Sequence, residues 1–153
     1  MIQNKRHVIL LVEDNPDDVE LTLDAFERSN VANEIVIAHD GQEALDYLFA
    51  MGAHADRDPT LKPHVILLDL NLPKINGLQV LRRMRSDERT KRIPVVVLTT
   101  SNEEKDVIGS YDLGANSYVR KPVDFAQFLD AARQLGLYWL VLNEPAPTSW
   151  GAL

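Results

Sequence analysis

Glu13 and Asp14 stand side by side at the end of an apolar run, Asp69 lies at the end of a second, Thr99 closes a third, and Lys121 follows a fourth. Those residue types at those places suit one kind of chemistry. Three carboxylates within a few ångströms repel by about 3–4 kcal/mol per pair at an effective dielectric near 20, so they favour a compensating cation. Oxygen donors select a hard divalent ion. Magnesium suits best, because it takes one or two carboxylates together with waters and a substrate phosphate rather than a complete protein cage. An ammonium and a hydroxyl on the same rim supply the charge and the donor that a phosphoryl group uses once the metal has taken its other oxygens. The set therefore predicts Mg2+ held by Glu13, Asp14 and Asp69, with Thr99 and Lys121 facing a phosphoryl group.

Each of these residues has an ordinary structural use when taken alone. An Asp at a strand end caps a helix or makes a turn, Lys121 before Pro122 reads as a loop lysine, and Thr99 is a β-branched strand residue. The conjunction across separate runs is what points to a site. Histidine offers no competitor, since His7, His39, His54 and His64 show no ligand-pair spacing and fall at strand borders or in loops.

The elements that must position this set are readable from short apolar runs at 8–12, 35–38, 65–70, 95–98 and 118–119. They are rich in Val, Ile and Leu and too short for helices, so they predict five strands. The intervening stretches mostly carry helical spacing. Asn15 before Pro16 makes a helix start, with Val19, Leu23 and Phe26 on one face. Further stripes follow in 41–51, 77–85 and 124–142, and 103–113 is a weaker helix interrupted by Gly109. Strands alternating with helices argue for an α/β fold with a parallel sheet. The first, third and fourth runs are nearly all apolar, as central strands are, whereas the second and fifth are shorter and more polar, as edges are. An order of 2-1-3-4-5 satisfies this with right-handed crossovers. In such a sheet ligands bind beyond the carboxyl ends of the strands where the order reverses, here between strands one and three.

Composition narrows the function classes. The 153 residues are 45% hydrophobic and 25% charged, which fits one globular domain. With no cysteine, the chain can form no disulfide, thiol nucleophile or zinc thiolate site, in keeping with a cytoplasmic protein. A net charge of −7 opposes binding to nucleic acid or an anionic membrane. The apolar run at 8–12 is too short for a signal peptide or a membrane span. The connection 52–63 is long and polar, and Pro145 and Pro147 end the last helix, giving a domain over 1–142 and a tail over 143–153.

The runs ILLVEDNPDD, ILLDLNLPKINGLQVL, IPVVVLTTS and GANSYVRKP closely resemble the receiver domain of two-component response regulators, over residues 8 to about 136. The family's fold is the five-stranded one argued above, a flavodoxin-like (βα)5 three-layer sandwich. By this resemblance Asp69 is similar to the phosphoacceptor, Glu13 and Asp14 to the magnesium-binding acidic pair, and Asn71 to the residue whose backbone carbonyl joins the metal. Thr99 and Lys121 resemble the phosphoryl-contacting pair, and Tyr118 the aromatic switch that moves with Thr99. The resemblance implies a sensor histidine kinase as phosphoryl donor. The long middle loop and the LTTS motif look most like the single-domain regulators that partner bacterial phytochromes. Thr100 departs from the family, where a smaller residue is common, and its bulk bears on access to the acyl phosphate.

Other functions meet specific obstacles. A magnesium-dependent phosphohydrolase using Asp69 as nucleophile needs a general acid for the leaving group, which Asn71 cannot be. Flavin binding calls for a Gly/Ser/Thr-rich phosphate loop where this chain has EDNPDD. A scaffold that no longer takes phosphate would have no use for the complete set of site residues. The receiver reading therefore implies output by protein contact. The run 136–142, which holds Tyr138 and Trp139, is apolar nearly all round and predicts a homodimer through the fourth helix, fifth strand and fifth helix.

Overall fold

The computed structural model describes residues 8–28, 34–99, 114–115, 117–120 and 126. Five strands, β1 (Val8–Val12), β2 (Glu34–Ala38), β3 (Val65–Asp69), β4 (Val95–Thr99) and β5 (Ser117–Arg120), form one parallel sheet in the order β2-β1-β3-β4-β5. This is the predicted order, with β2 and β5 at the edges. β2 matches the central strands in length, however, and differs from them in being only half-buried along most of its run. The strand expected over 65–70 stops at Asp69, which makes that carboxylate the last residue of its strand.

Alternation along the strands sorts the core into two layers. Leu10, Val12, Ile66, Leu68, Val95 and Val97 face the helices α2 (Gly41–Phe49) and α3 (Gly77–Arg85), whose Ala44, Leu45, Leu48, Val80, Leu81 and Met84 pack against them. Ile9, Leu11, Val65, Leu67, Val96, Leu98 and Val119 form the other face, which buries Phe26 of α1 (Pro16–Arg28). A period of two in the strands thus serves two helical layers, which is why the central runs read as almost continuously apolar.

Local chemistry sets the helix ends. The Asn15 Oδ1 accepts the backbone N–H groups of Asp17 at 2.9 Å and Asp18 at 3.3 Å, with Pro16 at the first helical position. Asp40 caps α2 by accepting from the Glu43 N–H at 2.7 Å. α2 ends at Phe49 rather than at 51, because Ala50 turns left-handed with φ of +53° and its N–H bonds back to α2 carbonyls. Asn76 and Gln79 make a reciprocal capping box at the start of α3.

The connection 52–63 opens with a 3-10 turn, Gly52–His54, and is tied to α2 rather than hanging from it. Arg57 donates to the Tyr47 carbonyl oxygen and lies 3.7 Å above the Tyr47 ring, while the Lys62 Nζ donates to the Leu48 carbonyl at 3.2 Å. α2 has no basic residue in its own last turn, so these two supply the positive charge at its carboxyl end. At the same end of the sheet Arg85 donates to the carbonyl oxygens of Lys91, Ile93 and Gly114, joining α3 to the approaches of β4 and β5. Among the described residues no helix is long and apolar enough to cross a membrane. The helices expected over 103–113 and 124–142, and the tail over 143–153, lie outside the described residues apart from Ala126.

Candidate functional site

The carboxyl ends of β1 and β3 are neighbours in the sheet, with Val12 paired to Leu68, so the residues that follow each pair emerge side by side. Glu13, Asp14 and Asp69 converge there, each offering a carboxylate oxygen within 4.8 Å of the others. Glu13 and Asp69 are 2% and 4% exposed, and Asp14 opens to solvent. Two buried anions and one exposed anion at this spacing make an oxygen-donor set for a hard cation, with an open side for water or a phosphate oxygen.

Backbone contacts fix the set. Glu13 donates its N–H to the Ala38 carbonyl at 2.9 Å, and its Oε2 accepts the Asn15 N–H at 3.2 Å. The Asp69 Oδ1 accepts the Asn71 N–H at 3.1 Å, which limits rotation of the carboxylate and folds the next residues back over the strand end. Gly77 opens α3 directly against this backbone. A Cβ there would lie 2.3 Å from the Asp69 carbonyl oxygen and 2.7 Å from the Leu70 Cα, so the close approach of α3 to the strand end requires glycine.

Thr99 is the last residue of β4, one step beyond Leu98, which is the register partner of Asp69. Tyr118 pairs with Val97 and Arg120 with Thr99, so β5 carries the chain to the same rim. Lys121, the next residue in sequence, lies outside the described residues, as do Thr100, Tyr138 and Trp139. The structure therefore brings together Glu13, Asp14 and Asp69, with Asn71 beside them and the backbone of Thr99 at the same edge.

A single model for the response regulator receiver domain matches residues 9–133. The chain belongs to that family. Receiver domains are signalling modules that accept a phosphoryl group and partner with sensor kinases, and this receiver domain is similar over nearly its whole length to phytochrome response regulators. Response regulator Rcp1 of Synechocystis sp. is 40% identical over 137 residues, 90% of this chain and 91% of that protein. Its Mn2+-bound crystal structure aligns with a TM-score of 0.73 and 39% identity over 92% of this chain and 99% of that one. The bacteriophytochrome response regulator AtBRR is 52% identical, with a TM-score of 0.82 over 92% of this chain and 100% of that one. The phosphorylated cyanobacterial phytochrome response regulator RcpA is 43% identical, with a TM-score of 0.74 over 89% of this chain and 95% of that one.

Two features of this receiver domain escaped the sequence reading. Glu43 bridges two histidines, its Oε1 lying 3.0 Å from the His39 Nδ1 and its Oε2 3.2 Å from the His54 Nε2. Burial raises the Glu43 pKa, but the His39 backbone N–H and both rings outweigh it and hold the carboxyl below its ordinary value. Only the four-residue spacing from His39 to Glu43 signalled half of this contact. The second feature is the loop between β3 and α3, whose Lys74 has φ of +66° and whose Nζ lies 3.3 Å from the Asp40 Oδ2.

Proposed function

We propose that this receiver domain accepts a phosphoryl group on Asp69 from a sensor histidine kinase and signals by phosphorylation-dependent protein contact. The observation that carries the reading is the convergence of Glu13, Asp14 and Asp69 at the reversal point of the sheet. The donor set fits a hard divalent ion, which supplies charge neutralisation on the transferring group when bound. In this reading Glu13, Asp14, Asp69 and the Asn71 backbone carbonyl hold Mg2+, and the similar regulator Rcp1 has been crystallised in an Mn2+-bound form.

In the transfer, an Asp69 carboxylate oxygen forms a bond to phosphorus as the bond from phosphorus to the kinase imidazole nitrogen breaks, and that nitrogen keeps the electron pair. The Asn71 N–H on Oδ1 holds the carboxylate in a fixed rotation for this attack. Lys121 anchors the new phosphoryl group, Thr99 donates its hydroxyl, and Tyr118 follows Thr99 inward, so that the face around β5 changes. The kinase is a bacterial phytochrome in this reading, because AtBRR and RcpA are phytochrome response regulators. Residues 1–142 form the receiver domain and 143–153 a tail. Tyr138 and Trp139 seat a homodimer, and analytical ultracentrifugation of wild type and Trp139→Ala tests that part: a monomer at every concentration, with or without beryllofluoride, overturns it.

The central test is incubation with acetyl phosphate and Mg2+ followed by intact mass. A phosphate-sized increase that disappears in Asp69→Asn is expected. No increase in the wild type, or an equal increase in the variant, overturns the assignment of Asp69.

A further inference from the structure

We propose that Lys74 and Asp40 form a latch that positions the loop after Asp69, and with it Asn71, for metal binding. This rests on the reading of Asp69 and Asn71 given under the proposed function. The loop between β3 and α3 is pinned at both ends. At its start, the Asn71 N–H is held by the Asp69 Oδ1 at 3.1 Å and the Leu72 N–H by the Leu70 carbonyl at 3.2 Å. At its end, Gly77 donates to the same Leu70 carbonyl at 3.0 Å and Asn76 is locked into its capping box with Gln79.

The tip, Pro73 to Ile75, is held differently. Pro73 has no N–H to give, and Lys74 sits in the left-handed region with φ of +66°, a conformation that residues with a Cβ rarely adopt and that persists where neighbours impose it. The neighbours belong to α2. The Lys74 Nζ lies 3.3 Å from the Asp40 Oδ2, while the Asp40 Oδ1 is engaged by the Glu43 N–H at 2.7 Å, so one carboxylate caps the helix and holds the loop. Gly41, next in sequence, lets the loop come so close that a Cβ on it would lie 2.0 Å from the Ile75 carbonyl oxygen. A loop of seven residues, Leu70 to Asn76, fixed at both ends and at its tip has little freedom left, and the orientation of the Asn71 peptide is set by that closure. Asp40 and Lys74 are positioning residues here, since neither joins the site itself.

An exposed ion pair is commonly inert, so the test separates the latch from a passive surface pair and from simple charge effects. Lys74→Met removes a positive charge from the surroundings of an acidic site, so by field alone Mg2+ would bind more tightly. Asp40→Asn removes a negative charge and retains a good N-cap. The latch predicts weaker Mg2+ binding in both, about three- to fivefold by isothermal titration calorimetry at low salt, with a parallel loss in the rate of phosphorylation by acetyl phosphate. The double variant shows no further loss, Lys74→Arg restores binding, and raising the salt concentration narrows the difference from wild type. Lys91→Met, whose partner Glu88 lies beyond the end of α3, serves as the charge control. Equal or tighter Mg2+ binding by Lys74→Met, or unchanged binding by Asp40→Asn, overturns the latch while leaving the phosphoacceptor reading intact. A wild type that binds no Mg2+ overturns that reading, and the latch with it.

Discussion

Gly77 stands against the backbone of Asp69 so tightly that a Cβ on it would lie 2.3 Å from the Asp69 carbonyl oxygen. Neither that oxygen nor the neighbouring Leu70 Cα is the end of a flexible side chain, so a substitution must move α3 or the strand end. Gly77→Ala is expected to cost about 1–3 kcal/mol in urea unfolding and to slow acetyl phosphate labelling in the fraction that remains folded. Wild-type stability together with wild-type labelling would show that α3 shifts without disturbing Asp69.

Asp14 is the exposed member of the acidic trio. Removing it relieves repulsion on Glu13 and Asp69 and, under the proposed function, deletes a metal ligand. Asp14→Ala should therefore melt higher than wild type in EDTA, by an amount on the order of 1 kcal/mol, and should gain less from added Mg2+, since ligand binding stabilises by mass action. Equal stabilisation of both proteins by Mg2+ would remove Asp14 from the metal site.

Glu43 gives a pH dependence with a definite sign. Burial raises its pKa, but the His39 N–H and the His39 and His54 rings hold it below the ordinary value of 4.5. A carboxyl depressed on folding contributes stability that is present above its unfolded pKa and lost as pH falls through the folded one. Glu43→Gln should therefore lower stability at neutral pH and flatten the loss of stability on acidification below pH 4.5. Chemical denaturation across that range checks it, and parallel acid limbs for the two proteins would contradict it.

These three positions show what a sequence discloses of such a fold. The sheet order and the acidic trio were legible because both follow from periodicity: apolar runs mark strands, the least apolar runs mark edges, and parallel strands deliver their carboxyl ends to one rim. Gly77, Lys74 and the bridge from His39 through Glu43 to His54 depend on how loops close, which no periodicity encodes. Gly77 reads as an unremarkable residue after a helix cap until the Asp69 backbone is seen beside it. The connection 52–63 reads as a long polar loop in sequence, although a helix with no basic residue in its last turn, followed by Arg57 and Lys62, already hints that cations from outside serve its carbonyls.

Arg57 carries the last prediction. Its guanidinium donates to the carbonyl oxygens of Tyr47 and Leu61 and lies 3.7 Å over the Tyr47 ring, so it closes the loop, serves a carbonyl at the end of α2 and covers an aromatic at once. Each of those contacts has a price when lost. A cation over an aromatic face is worth about 0.5–1 kcal/mol at an exposed site, and hydrogen bonds from a charged donor are worth about 1.5–3 kcal/mol. The three share one side chain and are not additive, so Arg57→Ala is expected to cost about 2 kcal/mol in urea unfolding. Arg57→Lys keeps the charge but not the planar fork that reaches two carbonyls while lying flat on the ring, and it should recover less than half of that loss. Because Arg57 serves the end of α2 away from the acidic trio, acetyl phosphate labelling of the folded protein should match wild type in both variants. Full recovery by lysine would reduce Arg57 to a helix-dipole charge, and impaired labelling would reveal coupling along α2 from its carboxyl end to Asp40.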